Sequence, residues 1–134
     1  AETGASIGPP AEAPSGLRIL VADDEADIRG MLVDLLSGQG HSVTSVADAQ
    51  QATAALNEAT FDAVLTDLLM PGGGGRRVLE VAQHLPVAPP VLVLTGRGEV
   101  EVAEEMLGLG ATACLRKPLD LGEVLAALGG ADRA

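Results

Sequence analysis

Ala63-Val64-Leu65-Thr66-Asp67-Leu68-Leu69-Met70-Pro71, followed by Gly72-Gly73-Gly74-Gly75, is the stretch whose reading decides the fold. A short apolar run bounded by turn residues reads as a buried strand. Asp67 stands where that strand leaves the core, at the carboxyl end where ligands bind to open parallel sheets. Taken alone, such an aspartate reads first as the cap of a turn. A functional reading needs partners from elsewhere in the chain.

Working outward, Leu17 to Ala22 is a second apolar run, and it ends in Asp23-Asp24-Glu25. Ile28, Met31, Leu32, Leu35 and Leu36 then fall on one helical face, with Asp24 as expected cap and Gly38 and Gly40 as the stop. Ser42 to Val46 alternates weakly, as suits a strand at a sheet edge. A helix is expected from Asp48 to about Ala59, and the third strand, the one quoted above, from Phe61 to Thr66. Beyond the glycines, Val78, Leu79, Ala82 and Leu85 mark another helix. Val91 to Leu94 is a buried strand ending at Thr95-Gly96. A helix follows over Val100 to Leu107, then a short strand Ala113 to Leu115 ending at Arg116-Lys117-Pro118, and a last helix on Leu121, Val124, Leu125 and Leu128. Strand and helix alternate five times, the pattern of an α/β fold with a parallel sheet covered on both faces. Residues 1–16 read as a flexible linker or tail, 17–130 as one domain and 131–134 as a C-terminal tail.

Composition bounds the function. The chain of 134 residues fits one core. With 47% hydrophobic but 1% aromatic residues, Val, Leu, Ile and Ala must fill it. A formal net charge of −11 repels nucleic acid and anionic membrane, and it suits a cation site wherever carboxylates converge. The single cysteine, Cys114, forms no disulfide within the chain, which fits a reducing cytoplasm. No apolar run reaches the length of a membrane span, and no signal peptide is visible. Lys117 is the only lysine.

The strand ends carry the chemistry. Asp23 and Asp24 follow the first strand, Asp67 the third, Thr95 the fourth and Lys117 the fifth, so all five meet at one sheet edge. Three close carboxylates repel one another, and a divalent cation relieves the cost. Oxygen ligands without His or Cys point to Mg²⁺ or Mn²⁺, with a backbone carbonyl near Leu69 as a further donor. Lys117 is placed to neutralise a phosphoryl oxygen and Thr95 to donate a hydroxyl to another. A carboxylate attacking phosphorus makes an aspartyl phosphate.

In this order and spacing, Ile19 to Glu25, Leu65 to Gly72, Val93 to Gly96 and Arg116 to Pro118 resemble the receiver domain of two-component response regulators. The resemblance spans about Arg18 to Leu128. It implies a flavodoxin-like, CheY-like (βα)5 sandwich with sheet order 2-1-3-4-5. It implies that Asp67 accepts a phosphoryl group from a phosphohistidine on a histidine kinase or histidine phosphotransfer protein. Asp23, Asp24, Asp67 and the Leu69 carbonyl would hold Mg²⁺, and Thr95 and Lys117 would contact the phosphoryl group. The Lys117-Pro118 bond would be cis, as the family usually has it. The domain would thus assist its own phosphorylation and dephosphorylation.

Several residues depart from the family pattern. Family members usually carry Phe or Tyr at the position of Cys114, where the ring moves inward with the threonine. A thiol is too small to report the state in that way, and packing is its ordinary role. Thr112-Ala113 replaces paired acids, and the last helix lacks arginine, so a monomer or weak dimer is expected. Leu69 and Arg97 lie at positions that influence hydrolysis of the phosphoryl group in the family. Apolar Leu69 cannot orient water, and a fairly long-lived phosphorylated state is expected. His41 and His84 stand apart from the acids. The four glycines lack the Lys-Ser/Thr of a phosphate loop and read as a flexible turn, and Arg76-Arg77 as a solvated pair. The linker before the first strand fits the C-terminal receiver of a hybrid histidine kinase, with a stand-alone receiver as the alternative. Two rival readings are a phosphorylation-independent interaction module of the same fold, which only Cys114 favours, and a Mg²⁺-dependent phosphatase, which Leu69 opposes because such enzymes carry a second Asp there.

Overall fold

The computed structural model describes residues 16–96 and 98–133, with side chains through residue 129. The tail expected over 1–16 falls almost wholly outside them, as does Arg97. The elements alternate throughout: β1 (Arg18–Ala22), α1 (Ala26–Gly38), β2 (Ser42–Val46), α2 (Ala49–Glu58), β3 (Ala63–Asp67), α3 (Gly74–Gln83), β4 (Val91–Thr95), α4 (Val100–Gly108), β5 (Ala113–Arg116) and α5 (Leu121–Arg133). The five strands form one parallel sheet in the order β2-β1-β3-β4-β5, the doubly wound CheY-like arrangement.

Side-chain alternation along the strands splits the core in two. Leu20, Ala22, Val64, Val91 and Val93 face α2, α3 and Met106 of α4. Ile19, Val21, Leu65, Leu92 and Leu94 face Leu32 and Leu36 of α1 and Val124 and Leu128 of α5. Strands buried on both faces are continuous apolar runs, which is why β1, β3 and β4 were readable as such. Each fully buried Leu, Ile or Val contributes about 2 kcal/mol by leaving water. The sheet therefore rests on aliphatic packing, and the one aromatic residue, Phe61, is only partly buried against it.

The register aligns the carboxyl ends. Ala22 is level with Thr66, Asp67 with Leu94, and Thr95 with Arg116. The ladder continues one residue past each strand. Asp23 N–H donates to Val46 O at 3.2 Å, Leu68 N–H to Leu94 O at 3.0 Å, and Lys117 N–H to Thr95 O at 2.7 Å. The main chain at Asp23 and Lys117, two of the expected site positions, and at Leu68, next to Asp67, is thus part of the sheet.

Four expectations change. The strands β3, β4 and β5 each extend one residue further than the apolar run indicates, because the polar residue at the end still pairs in the ladder. Asp24 does not cap α1: Asp23 Oδ1 instead accepts the Glu25 N–H at 2.8 Å, and Glu25 occupies the N-cap position with no side-chain capping bond. Helix α5 runs to Arg133, through most of the expected tail, so the last helix does contain an arginine.

The fourth change concerns the glycines, which form an ordered turn rather than a flexible one. Gly72, Gly73 and Gly74 take φ of 88°, 112° and 66°, the left-handed region that suits glycine. Gly74 and Gly75 are buried in the first turn of α3, which begins four residues before Val78. A Cβ on Gly74 would lie 2.7 Å from Leu68 O, and one on Gly75 would lie 2.9 Å from Asp67 O. Gly75 N–H donates to Leu68 O at 2.9 Å, and Ala49 N–H of α2 takes Pro71 O at 3.0 Å. The glycine run lets α3 start directly against the end of β3.

Gly74→Ala should destabilise the protein by about 2 kcal/mol or more, combining left-handed strain with overpacking. Gly30→Ala, inside α1 with open space around its Cβ, should stabilise by about 0.5–1 kcal/mol. Urea midpoints of the two variants check both signs.

Candidate functional site

The acidic site is built by three strand ends. Asp23 is fully buried and Asp67 is 7% exposed. Lys117, from the end of β5, places its Nζ 3.0 Å from Asp23 Oδ2, 3.4 Å from Asp67 Oδ1 and 2.9 Å from Glu25 Oε1. Oxygens of Asp23, Glu25 and Asp67 all lie within 4.8 Å of one another. Of the five residues expected at this edge, Asp23, Asp67 and Lys117 are thus in contact. Asp24 is exposed and lines a shallow groove with Leu68, Leu69 and Met70. It is near enough for its charge to act on Asp67, while Glu25 is the third acid whose oxygen lies within 4.8 Å of those of Asp23 and Asp67.

Glu25 is the site residue that the sequence reading missed, although it ends the quoted acidic triplet. The signal was present in Lys117. A sole lysine beside three acidic residues must choose among them, and the unsatisfied N-cap leaves the Glu25 side chain free to turn toward it.

Asp67 is held from two sides. Its Oδ1 accepts the Leu68 N–H at 2.9 Å and faces Lys117. Burial, reinforced by the neighbouring charge of Asp23, pushes the Asp67 carboxyl up to about 6, against the opposing pull of Lys117. For Lys117 itself burial works to lower the pKa. Glu25, Asp23 and Asp67 more than offset this and hold the ammonium charged well above its ordinary range.

The donor set fits a hard divalent cation. Asp23 Oδ2 is buried, and its close partner is the Lys117 ammonium at 3.0 Å. Three carboxylates face a single ammonium, and no His or Cys is among them. An oxygen-only cluster that stays net anionic beside its one ammonium suits Mg²⁺ or Mn²⁺.

Thr95 is buried at the end of β4, and its hydroxyl donates to Leu115 O of β5 at 3.4 Å. On the following strand, Cys114 packs against the core, with its thiol donating to Ala103 O of α4 at 3.5 Å and its pKa raised by burial. Cys114 thus ties β5 to α4 at the position where family members carry an aromatic ring. The Lys117-Pro118 bond is cis. Leu69 is 60% exposed at the mouth of the site.

The remaining singled-out residues stand apart. His41 is buried, its Nδ1 accepting the Leu17 N–H at 3.1 Å, and desolvation lowers its pKa. His84 is exposed and bonds Glu80 O at the end of α3. Arg76 is not simply solvated: it pairs with Glu105 across α3 and α4.

Between the ordinary carboxylate value of 3.8 and about 6, folded Asp67 keeps a proton that the unfolded chain has lost, so stability falls as pH rises through this window. Asp67→Asn removes that penalty. Without divalent cations, the variant should be more stable than the native protein at neutral pH by up to about 3 kcal/mol. The gain should shrink to nothing around pH 4, as urea midpoints across pH would show.

Residues 19–129 match the family model described as response regulator receiver domain. The chain is 40% identical over 114 residues to the transcriptional regulatory protein TcrA of Mycobacterium tuberculosis, covering 85% of this chain and 45% of that protein. It is 40% identical over 104 residues to the transcriptional regulatory protein FixJ of Bradyrhizobium diazoefficiens, covering 76% and 50%. It therefore spans about half the length of these curated relatives. Among solved structures, a response regulator receiver domain protein of Clostridium thermocellum superposes with a TM-score of 0.81 at 30% identity, covering 87% of this chain and 94% of that one. Full-length FixJ of B. japonicum gives 0.80 at 37%, covering 90% and 59%. With its sheet order, its acidic strand ends and these relatives, the chain belongs to the receiver domain family of two-component response regulators.

Proposed function

We propose that this receiver domain takes a phosphoryl group from a phosphohistidine of a histidine kinase or histidine phosphotransfer protein onto Asp67. One observation carries the assignment. Asp67 is a buried carboxylate at a strand end with one oxygen fixed by Leu68 N–H and Lys117 and the other left for attack. In the transfer, Asp67 Oδ2 forms the bond to phosphorus. The bond from phosphorus to the imidazole nitrogen breaks, and its electron pair stays with that nitrogen.

Asp23 and Asp67, with Asp24 and the Leu69 carbonyl as the further ligands proposed, would hold Mg²⁺. When bound, the cation supplies charge neutralisation at the transferring group. Lys117 neutralises a second phosphoryl oxygen. The Thr95 hydroxyl, now on Leu115 O, would rotate to donate to a third. Leu69 presents no group that orients an attacking water, so the aspartyl phosphate is proposed to be long-lived.

The relatives named above are transcriptional regulatory proteins. Their names favour a receiver that controls a regulator's output over the hybrid-kinase or stand-alone contexts expected from the sequence. The negative charge argues that this domain itself does not bind nucleic acid. Among the described residues no helix is long and apolar enough to cross a membrane.

With Mg²⁺ and acetyl phosphate, the native protein should gain the mass of one phosphoryl group, and Asp67→Asn should not. Lys117→Ala should react at least about tenfold more slowly, the loss of one charge-assisted contact to the phosphoryl group. Equal labelling of the native protein and Asp67→Asn would refute the assignment. Phosphoryl loss within seconds would refute the long lifetime.

A further inference from the structure

Of the three anions around Lys117, two cannot leave. Asp23 is fully buried and Asp67 nearly so. Glu25 differs: 61% of its side chain is exposed. Among the described residues its only side-chain hydrogen bond is the one accepted from Lys117 Nζ at 2.9 Å. It does not cap α1.

The ammonium is aimed at this removable partner. It also lies 3.0 Å from the buried Asp23 Oδ2. Its contact with Asp67 is the longest of the three, at 3.4 Å. A phosphoryl group on Asp67 needs the same ammonium for one of its oxygens, and Glu25 competes for it.

We propose that Glu25 is a positioning residue that acts through Lys117, a tethered anion that competes with the phosphoryl group for the only lysine in the chain. Glu25 draws the ammonium toward solvent while Asp67 is unmodified and swings outward when a phosphoryl group replaces it. Phosphorylation then sets two anions in competition at Nζ, and this competition weakens binding of any phosphoryl-like group. The inference rests on Asp67 being the phosphoryl acceptor.

Beryllofluoride with Mg²⁺, a mimic of the phosphoryl group on a carboxylate, is the probe. Calorimetric titration of the native protein, Glu25→Gln and Glu25→Asp separates contact from charge. Aspartate keeps the charge but is one methylene too short to hold the same contact. Both variants should bind beryllofluoride about fivefold more tightly, as expected for release of one partly exposed ion pair. Because Lys117 is the only lysine, protein made with labelled lysine gives a single side-chain NMR signal. That signal should shift in both unliganded variants and move least on beryllofluoride binding in them.

Tighter binding by Glu25→Gln but not Glu25→Asp would mean that distant charge suffices, and would overturn the proposal. Unchanged or weaker binding by both variants would overturn it as well. A native protein that bound no beryllofluoride would overturn the phosphoacceptor reading and the inference together, whereas native binding with unaltered variants would remove only the inference.

Discussion

One ammonium among three carboxylates is the interaction on which the site depends. Lys117 reaches Asp23, Glu25 and Asp67 from the end of an edge strand, while the carboxylates arrive from β3 and from the turn between β1 and α1. Buried acids at this spacing would repel one another without a cation, and a single lysine leaves the cluster net negative. The cluster therefore keeps an appetite for further positive charge. It also holds a lysine whose charge is secured by its neighbours despite partial burial. Sheet, turn and site are parts of one electrostatic arrangement.

The rigidity of that arrangement comes from the backbone. Ladder hydrogen bonds extend beyond the strands to Asp23, Leu68 and Lys117, so the main chain at the site moves only with the sheet. The glycine turn then brings α3 against the carbonyls of Asp67 and Leu68. Side-chain freedom is correspondingly restricted to the rim, where Glu25 and Leu69 are largely exposed. A fixed base with an exposed rim allows a rim side chain to move without disturbing Asp67.

The fold was legible because strands buried on both faces have to be apolar runs, and β1, β3 and β4 each are. The ends of these runs also located Asp23, Asp67, Thr95 and Lys117, since polar residues appear where the core stops. Other features left no such trace. Which acid of Asp23-Asp24-Glu25 turns toward the lysine depends on cap geometry at α1, which residue types alone do not determine. The glycine run looks like slack in one dimension, and its necessity is visible only when the carbonyls it must clear are in place. The Arg76–Glu105 pair joins two helices whose separation no local pattern encodes. Helix α5 outlasts its last periodic leucine because Gly129 and Gly130 do not break it.

The parallel sheet also gives the molecule two unlike ends. Every reactive group described above lies at the carboxyl edge. The opposite edge carries the turn around His41, the exposed stretch Asn57 to Thr60 and the proline-rich turn from Pro86 to Pro90. None of these contributes a side chain to the acidic cluster. Changes of length in those turns, including inserted peptides, reporter tags or cyclisation points, would be separated from the chemistry by the full depth of the strands. The protein can be lengthened or decorated at one pole while the other keeps its geometry.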